Sequence, residues 1–433
     1  MKYCKLIFFI FLSFTSVVMA QERQPMTISR LFALTDSCNM ALKVAVSEEK
    51  AAAEGVREAK NGRLPDIDAS LSVLYMGNVV MTDRDFSHAT AFSTPHWGNG
   101  FSIEAQQLIY AGGAVSAGIR KAEIQELQAG NARRATQNAQ HFLAVAKYLE
   151  IMQADNAVVV YQNNIELTQR LISDIEAKRG QGMALRNDVT RYELQLENLK
   201  LGLRRMIDNR NMLNHQLCNL IGLATDVIII PDTMLTKLCI DDEQTWQAEA
   251  TACSPVLTNA SLEMKAAEQQ LRLSKSARLP KLLAFASDNF SGPYTYDIPP
   301  IDNNFNVWTI GLSITYSFSS LFKANKSVRK AGVLLRERSE AYKDAVLQVN
   351  DEMNEAHTLY LQSFADLRTM QKNVQLAREN YVVANNRYLN DLALITDMID
   401  ASNIRLSAEL DETNARISIV YAYYRMRYVA GNL

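Results

Sequence analysis

A chain of 433 residues has room for two or three ordinary domains, or for one large architecture built twice. With 48% apolar and 21% charged residues it is neither a disordered chain nor a helical membrane protein. Its net charge of −2 gives nucleic acid no footing, and 17 glycines with 9 prolines favour long helices over a loop-rich fold.

Residues 1–20 read as a signal peptide. Lys2 and Lys5 precede an apolar run from Leu6 to Met19, and Val18-Met19-Ala20 ends it where a signal peptidase cuts. The mature chain is expected to start near Gln21, and no cysteine stands there to carry a lipid anchor. Beyond that point no stretch of eighteen apolar residues remains. Any part that enters a membrane must therefore do so as β-strands, because only helices and closed barrels satisfy their backbones in lipid. Export also permits disulfides among Cys38, Cys218, Cys239 and Cys253. Four cysteines leave three full pairings open, and buried free thiols fit the pattern equally well.

The mature chain is written twice. Lys50-Ala51-Ala52 and Arg63-Leu64-Pro65 return as Lys265-Ala266-Ala267 and Arg278-Leu279-Pro280, at an offset of 215. Arg57/Arg272, Lys60/Lys275 and Cys38/Cys253 keep the same register. Arg120-Lys121-Ala122 then matches Arg329-Lys330-Ala331 at an offset of 209, which holds through Asp188/Asp397 to Gly222/Gly431. The difference places a longer loop in the first copy, between Tyr75 and Gly98. We divide the chain into repeats at 21–235 and 236–433.

Within each copy the order is helix, strand, strand, helix, helix. A first helix stops at the Arg-Leu-Pro, where proline forbids continuation. The first strand alternates Ile67, Ala69, Leu71, Val73 and Tyr75 with Asp68, Ser70 and Ser72. An exposed loop, 76–98, leads to a second strand with Phe101, Ile103 and Ala105 on one face. A helix from Ala114 to about Arg179 would run roughly 100 Å at ~1.5 Å per residue. Its apolar seam steps by three and four through Ile151, Ala154, Val158, Tyr161, Ile165, Thr168, Ile172 and Ile175. A turn near 180–185 returns the chain along Tyr192, Leu196, Leu199, Leu203, Met206, Arg210, Leu213, Leu217 and Leu220.

In the second copy the strand at Lys281–Asp288 is the weakest, because Leu282, Leu283 and Phe285 do not separate by face. The next one, Trp308 to Tyr316, alternates cleanly, and the loop 289–306 joins the two. The long seam recurs from Tyr360 to Tyr388, with a turn near 389–394 and a return through Leu406, Leu410, Thr413, Ile417, Val420 and Tyr424. Strands of nine to eleven residues with one oily and one polar face suit a tilted crossing of an outer membrane. A sheet packed on one side of a helix bundle would alternate in the same way. Four strands close no conducting barrel, so a pore needs several chains, and three would supply twelve strands.

This ordered set resembles the TolC family of outer-membrane efflux proteins across essentially the whole mature chain. The marks are the signal peptide, the duplicated unit, the Arg-Leu-Pro that opens each first strand, and Leu108-Ile109-Tyr110-Ala111-Gly112-Gly113 after the second. The second copy departs there, reading Tyr316-Ser317-Phe318-Ser319-Ser320-Leu321 without glycine. The resemblance implies a mainly α, mixed α/β membrane protein. It would be a homotrimer whose 12-stranded β-barrel sits in the outer membrane of a Gram-negative-type envelope and continues as a coiled-coil tunnel into the periplasm. It also implies a channel of a tripartite efflux or secretion system, working with a periplasmic adaptor (membrane fusion) protein and an inner-membrane pump.

Function is then expected at the two helix turns. Gly182, Met183, Ala184 and Leu185 in the first, and Leu392, Ala393 and Leu394 in the second, resemble the tips through which family members meet the adaptor. Apolar groups at a tip favour a partner, although glycine alone permits a tight reversal. Asp397 and Asp400, i and i+3, share one helix face, and in a threefold tube each would form a ring of carboxylates. Their spacing resembles the paired aspartates of the family's periplasmic gate, and the same comparison casts Tyr388, Arg416 and Asp188 as latch residues. The resemblance implies an arginine in the second turn, where this chain has Ala393, so part of the latch would be missing. The alternative for Asp397, Asp400 and Arg416 is a solvated surface charge.

Nothing in the sequence carries chemistry: there is no phosphate loop, His-Glu-x-x-His, Cys-x-x-Cys or Gly-x-Ser-x-Gly. His88 and His96 fall in one loop without a third ligand. We therefore expect no cofactor, no metal and no enzyme. The rival readings are a periplasmic coiled-coil adaptor or scaffold with no pore and, with no residues behind it, a degradative envelope enzyme.

Overall fold

The computed structural model describes residues 23–232, 243–295, 297, 300–390 and 392–433. The leader at 1–20, Cys239, Asp391 and the repeat boundary at 235/236 lie outside the described residues. The chain forms two compact units, and each draws on both halves of the sequence.

One unit comprises 43–136 and 247–352. Its centre is a four-stranded antiparallel sheet of β2 (Asp66–Tyr75), β5 (Trp97–Tyr110), β7 (Lys281–Gly292) and β8 (Phe305–Thr315), in the order β2-β5-β7-β8. Register sorts the side chains. Ile67, Ala105, Ala286 and Ile310 stand in one row, and Leu71, Phe101 and Phe290 in another on the same face. The opposite face carries Ser70 against Ser102 and Ser287 against Thr309, each pair joined through its hydroxyls at 2.8 and 2.7 Å. Every residue of β2 is exposed, and Leu71, Ile310 and Ile314 are each about three-quarters exposed. The sheet is thus a single layer, open on both faces, and this removes the reading of a sheet packed against helices.

Strand β7 runs the full height of the sheet despite its irregular sequence. Phe285 falls on the polar face, where its ring lies over Gly311; a Cβ there would come within 2.8 Å of the ring. Asp288 lands on the apolar face, between Ile103 and Trp308. A small hairpin of β3 (Val79–Met81) and β4 (Thr90–Phe92) decorates the first loop. There His88 Nδ1 faces Asp83 Oδ2 at 2.9 Å, while His96 Nδ1 meets the Met76 carbonyl at 2.9 Å. The two histidines have separate partners.

The helices that precede each strand pair in the chain are interrupted rather than continuous. The first copy has α1 (Ile28–Cys38) and α2 (Met40–Asn61), and the second has α5 (Glu243–Cys253) and α6 (Pro255–Ser276), with Pro255 at the break. Two long helices follow the strands, α3 (Ala114–Gly180) and α7 (Ser320–Leu389), of 67 and 70 residues. Their returns, α4 (Arg186–Ile221) and α8 (Ile395–Ala430), have 36 residues each and lie 209 apart. Both end on a left-handed glycine, Gly222 and Gly431.

The other unit comprises residues up to 42, 137–246 and 353–433. None of the seam residues read from the sequence is exposed, and the main core gathers Ile151, Ala154, Leu213, Leu217, Ile417, Val420 and Tyr424. Arg210, the polar break in the α4 seam, bonds Asp155 at 3.0 Å and the Ile229 carbonyl at 2.6 Å. It thereby holds β6 (Ile228–Pro231), which pairs in parallel with β1 (Arg23–Met26). The Tyr148 hydroxyl donates to the Met26 carbonyl and accepts from the Asp232 amide, and burial pushes its pKa up to about 12. Among the described residues Cys38, Cys218 and Cys253 form no disulfide with one another.

Candidate gate and hairpin tips

Both hairpins end in one shared core. Leu171 and Ile175 of α3, Val189 and Tyr192 of α4, Tyr381 of α7, and Ile395 and Met398 of α8 pack together, with Ala184 and Tyr388 at the margin. The tips therefore sit side by side in this unit. Burying these groups stabilises the tips by roughly 1.5–3 kcal/mol per large side chain.

The two turns solve one problem by different chemistry. In the first, Gly182 takes φ +77, and the Met183 amide bonds back to the Lys178 carbonyl at 2.9 Å. In the second no glycine is present; the Leu392 amide reaches the Arg387 carbonyl at 2.8 Å, and the Asn390 side chain donates to the Asn386 carbonyl. Met183, Leu185, Leu392 and Leu394 all stand exposed, at 54–71%. Ala184 and Ala393 are half-buried.

Asp188 and Asp397 occupy the same place in their helices. Each is the third residue of its return helix, and its carboxylate accepts the backbone N–H of the residue that starts the turn, Leu185 or Leu394, at 3.1 Å. A carboxylate there satisfies an orphan donor and complements the helix dipole. Asp397 therefore has a structural task. Asp400, one turn on, is exposed and lines a groove between α4 and α8 together with Arg191. Tyr388 is half-buried at the core margin, with the Lys178 ammonium 5.6 Å from its ring centre.

Arg416 is not part of this cluster. It lies about 28 Å further along α8 by helical rise and pairs with Glu412 at 2.7 Å. Within one chain, then, the structure brings together Asp188, Asp397, Asp400 and Tyr388 at the tips and leaves Arg416 apart.

Two features escaped the sequence reading. Lys178 donates to the Leu389 carbonyl at 2.9 Å, tying the end of α3 to the end of α7. Its position, basic in the last turn of a helix, was the available signal. Glu409, 11% exposed, receives Arg378 and Arg405 at 3.1 Å each, and Arg405 stacks on Tyr381 at 5.0 Å. No spacing rule joins Arg378 to Glu409 in advance.

A single-layer amphipathic sheet with paired helical hairpins is a fold shared with solved outer-membrane channels. Residues 246–432 match the family described as outer membrane efflux protein, and the resemblance to the TolC family is borne out. The fold is similar over nearly the whole chain to the outer-membrane channel OprN, with TM-score 0.79, 16% identity, and 94% of this chain and 90% of that one covered. VceC from Vibrio cholerae is similar at TM-score 0.78 and 16% identity, over 93% and 96% of the two chains. The Campylobacter jejuni CmeC outer membrane channel follows at 0.76 and 15%, over 94% and 85%. The sequence matches no curated protein.

Proposed function

We propose that this chain is one protomer of a trimeric outer-membrane efflux channel, which passively conducts substrates delivered by an inner-membrane pump. The observation that carries this reading is the sheet: four strands, open on both faces, oily on one and hydroxylated on the other. In water such an oily face is a liability. The outer strands β2 and β8 also leave backbone donors and acceptors unpaired, which lipid does not tolerate. Joining β2 of one copy to β8 of the next removes both defects, and three copies close twelve strands.

The hairpin tips then form the inner mouth. Asp400 and Asp397, repeated three times about the axis, make adjacent rings of carboxylates that attract cations and repel one another. Asp188 and Tyr388 border the mouth, and Arg416 sits further up as a latch between copies. The exposed apolar tips, Met183, Leu185, Leu392 and Leu394, are the seat of the periplasmic adaptor. A soluble coiled-coil scaffold is the poorer reading, because it has no use for a two-faced open sheet.

The test is extraction followed by conductance. The protein should leave membranes with detergent and resist salt and alkali. In planar bilayers it should give small, mostly closed conductances, and neutralising Asp397 and Asp400 together should change cation block. Release by alkali alone would end the channel reading; an unaltered block would end the carboxylate rings.

A further inference from the structure

The chain after β8 carries a feature that the first copy lacks. Phe318, Leu321 and Phe322 stand 74%, 44% and 79% exposed at the start of α7. Phe318 meets Tyr316 edge to face at 5.1 Å, so the aromatic group continues directly from the oily strip of Ile310, Leu312 and Ile314 on β8. Phe322, Lys326, Arg329 and Lys330 follow at helical spacing and share one stripe of α7, with Lys323 beside it. All four cations are exposed, and none makes an ion pair among the described residues. At the corresponding first-copy positions stand Ile109, Gly113, Ala114 and Ala117, and Lys121 there is engaged by Gln270 at 2.9 Å.

We infer that the first turns of α7 form an anchor for anionic phospholipid headgroups in the inner leaflet of the outer membrane. The inference rests on the reading that the sheet crosses that membrane. Phe318 and Phe322 would enter the acyl boundary just below the strand. Lys323 and Lys326 follow Phe322 by one and four residues, at most ~6 Å along the helix, which is the depth of a headgroup layer. Their aliphatic stems reach past the aromatics while the ammonium groups stay wet. Arg329 and Lys330 add charge within a Debye length of the surface. The partner is committed by two observations together: an oily surface continuous with the lipid-facing strip, and a run of cations with no carboxylate of their own.

Native mass spectrometry of the detergent-purified trimer, incubated with an equal mixture of phosphatidylglycerol and phosphatidylethanolamine, tests this. The wild type should retain phosphatidylglycerol preferentially. Changing Lys323, Lys326, Arg329 and Lys330 to Gln should lower that preference at least tenfold, given about fivefold per basic side chain at an anionic surface. Phe318→Ser with Phe322→Ser should weaken retention of both lipids. A control, Arg120→Gln in the first copy, should leave the preference intact. Equal retention by the wild type and the four-Gln variant would overturn the proposal, as would an equal fall in the control. A second copy covering Phe318 and Phe322 would show as trimer loss in the Ser variant with lipid preference unchanged, and this also overturns it. If the protein needs detergent for extraction yet shows no preference, the anchor fails and the channel stands; if alkali extracts it, both fail.

Discussion

At the scale of single residues, the two aspartates that the sequence offers as one pair have different duties. Asp397 holds the first turn of α8 through the Leu394 amide, whereas Asp400 is exposed at the groove. Asp397→Ala should cost about 0.5–2 kcal/mol of local stability, seen as faster hydrogen exchange at the Leu394 amide. Asp397→Asn keeps an acceptor and should spare that amide while changing cation block. Asp400→Ala should alter block alone. Sequence could find both residues, because i,i+3 spacing places them on one face. It could not separate them, since the capping role depends on where the turn ends. Cysteine chemistry offers a second test. Burial raises the pKa of the Cys218 thiol, so at pH 8 a smaller fraction is the reactive thiolate. Cys218 should therefore be alkylated by iodoacetamide more slowly than half-buried Cys253, as peptide mass spectrometry would record.

At the scale of elements, periodicity carried the long helices. Seam positions from Ile151 to Ile175 and from Tyr360 to Tyr388 are all shielded, because a three-and-four pattern over many turns has one physical solution. Strands with clean alternation were equally legible. What stayed hidden were β1 and β6, each four residues long, whose pairing joins segments two hundred residues apart. Such a contact leaves no local pattern. The irregular β7 was obscured for another reason: Phe285 occupies the polar face, and only the absence of a side chain at Gly311 makes room for it. The helix end at Gly222 provides a further prediction. Its φ of 69 favours glycine, and a Cβ would approach Cys38 Cβ to 2.5 Å. Gly222→Ala should cost at least about 1–2 kcal/mol from the backbone alone. A lowered thermal unfolding midpoint in detergent would register it, with Gly118→Ala, in open space within a helix, as the comparison that should hold or raise the midpoint.

At the scale of the whole molecule, duplication gives two tips, two strand pairs and two return helices of equal length, but not two identical halves. One tip turns on glycine and the other does not; one membrane exit is small and the other aromatic and basic. The rims of the sheet reach furthest in what they imply. If β2 and β8 each close on a neighbouring copy, as proposed, one chain cannot settle in a bilayer alone, and assembly would precede or accompany insertion. Inheritance of a defect would follow from this. A gene copy encoding a proline in the middle of β2 should be dominant when expressed beside the normal one, because each mixed ring contains a seam that cannot zip. Efflux measured in such a merodiploid should drop well below half, and a fall only to half, or a smaller one, would argue that the defective copies are left out of the ring.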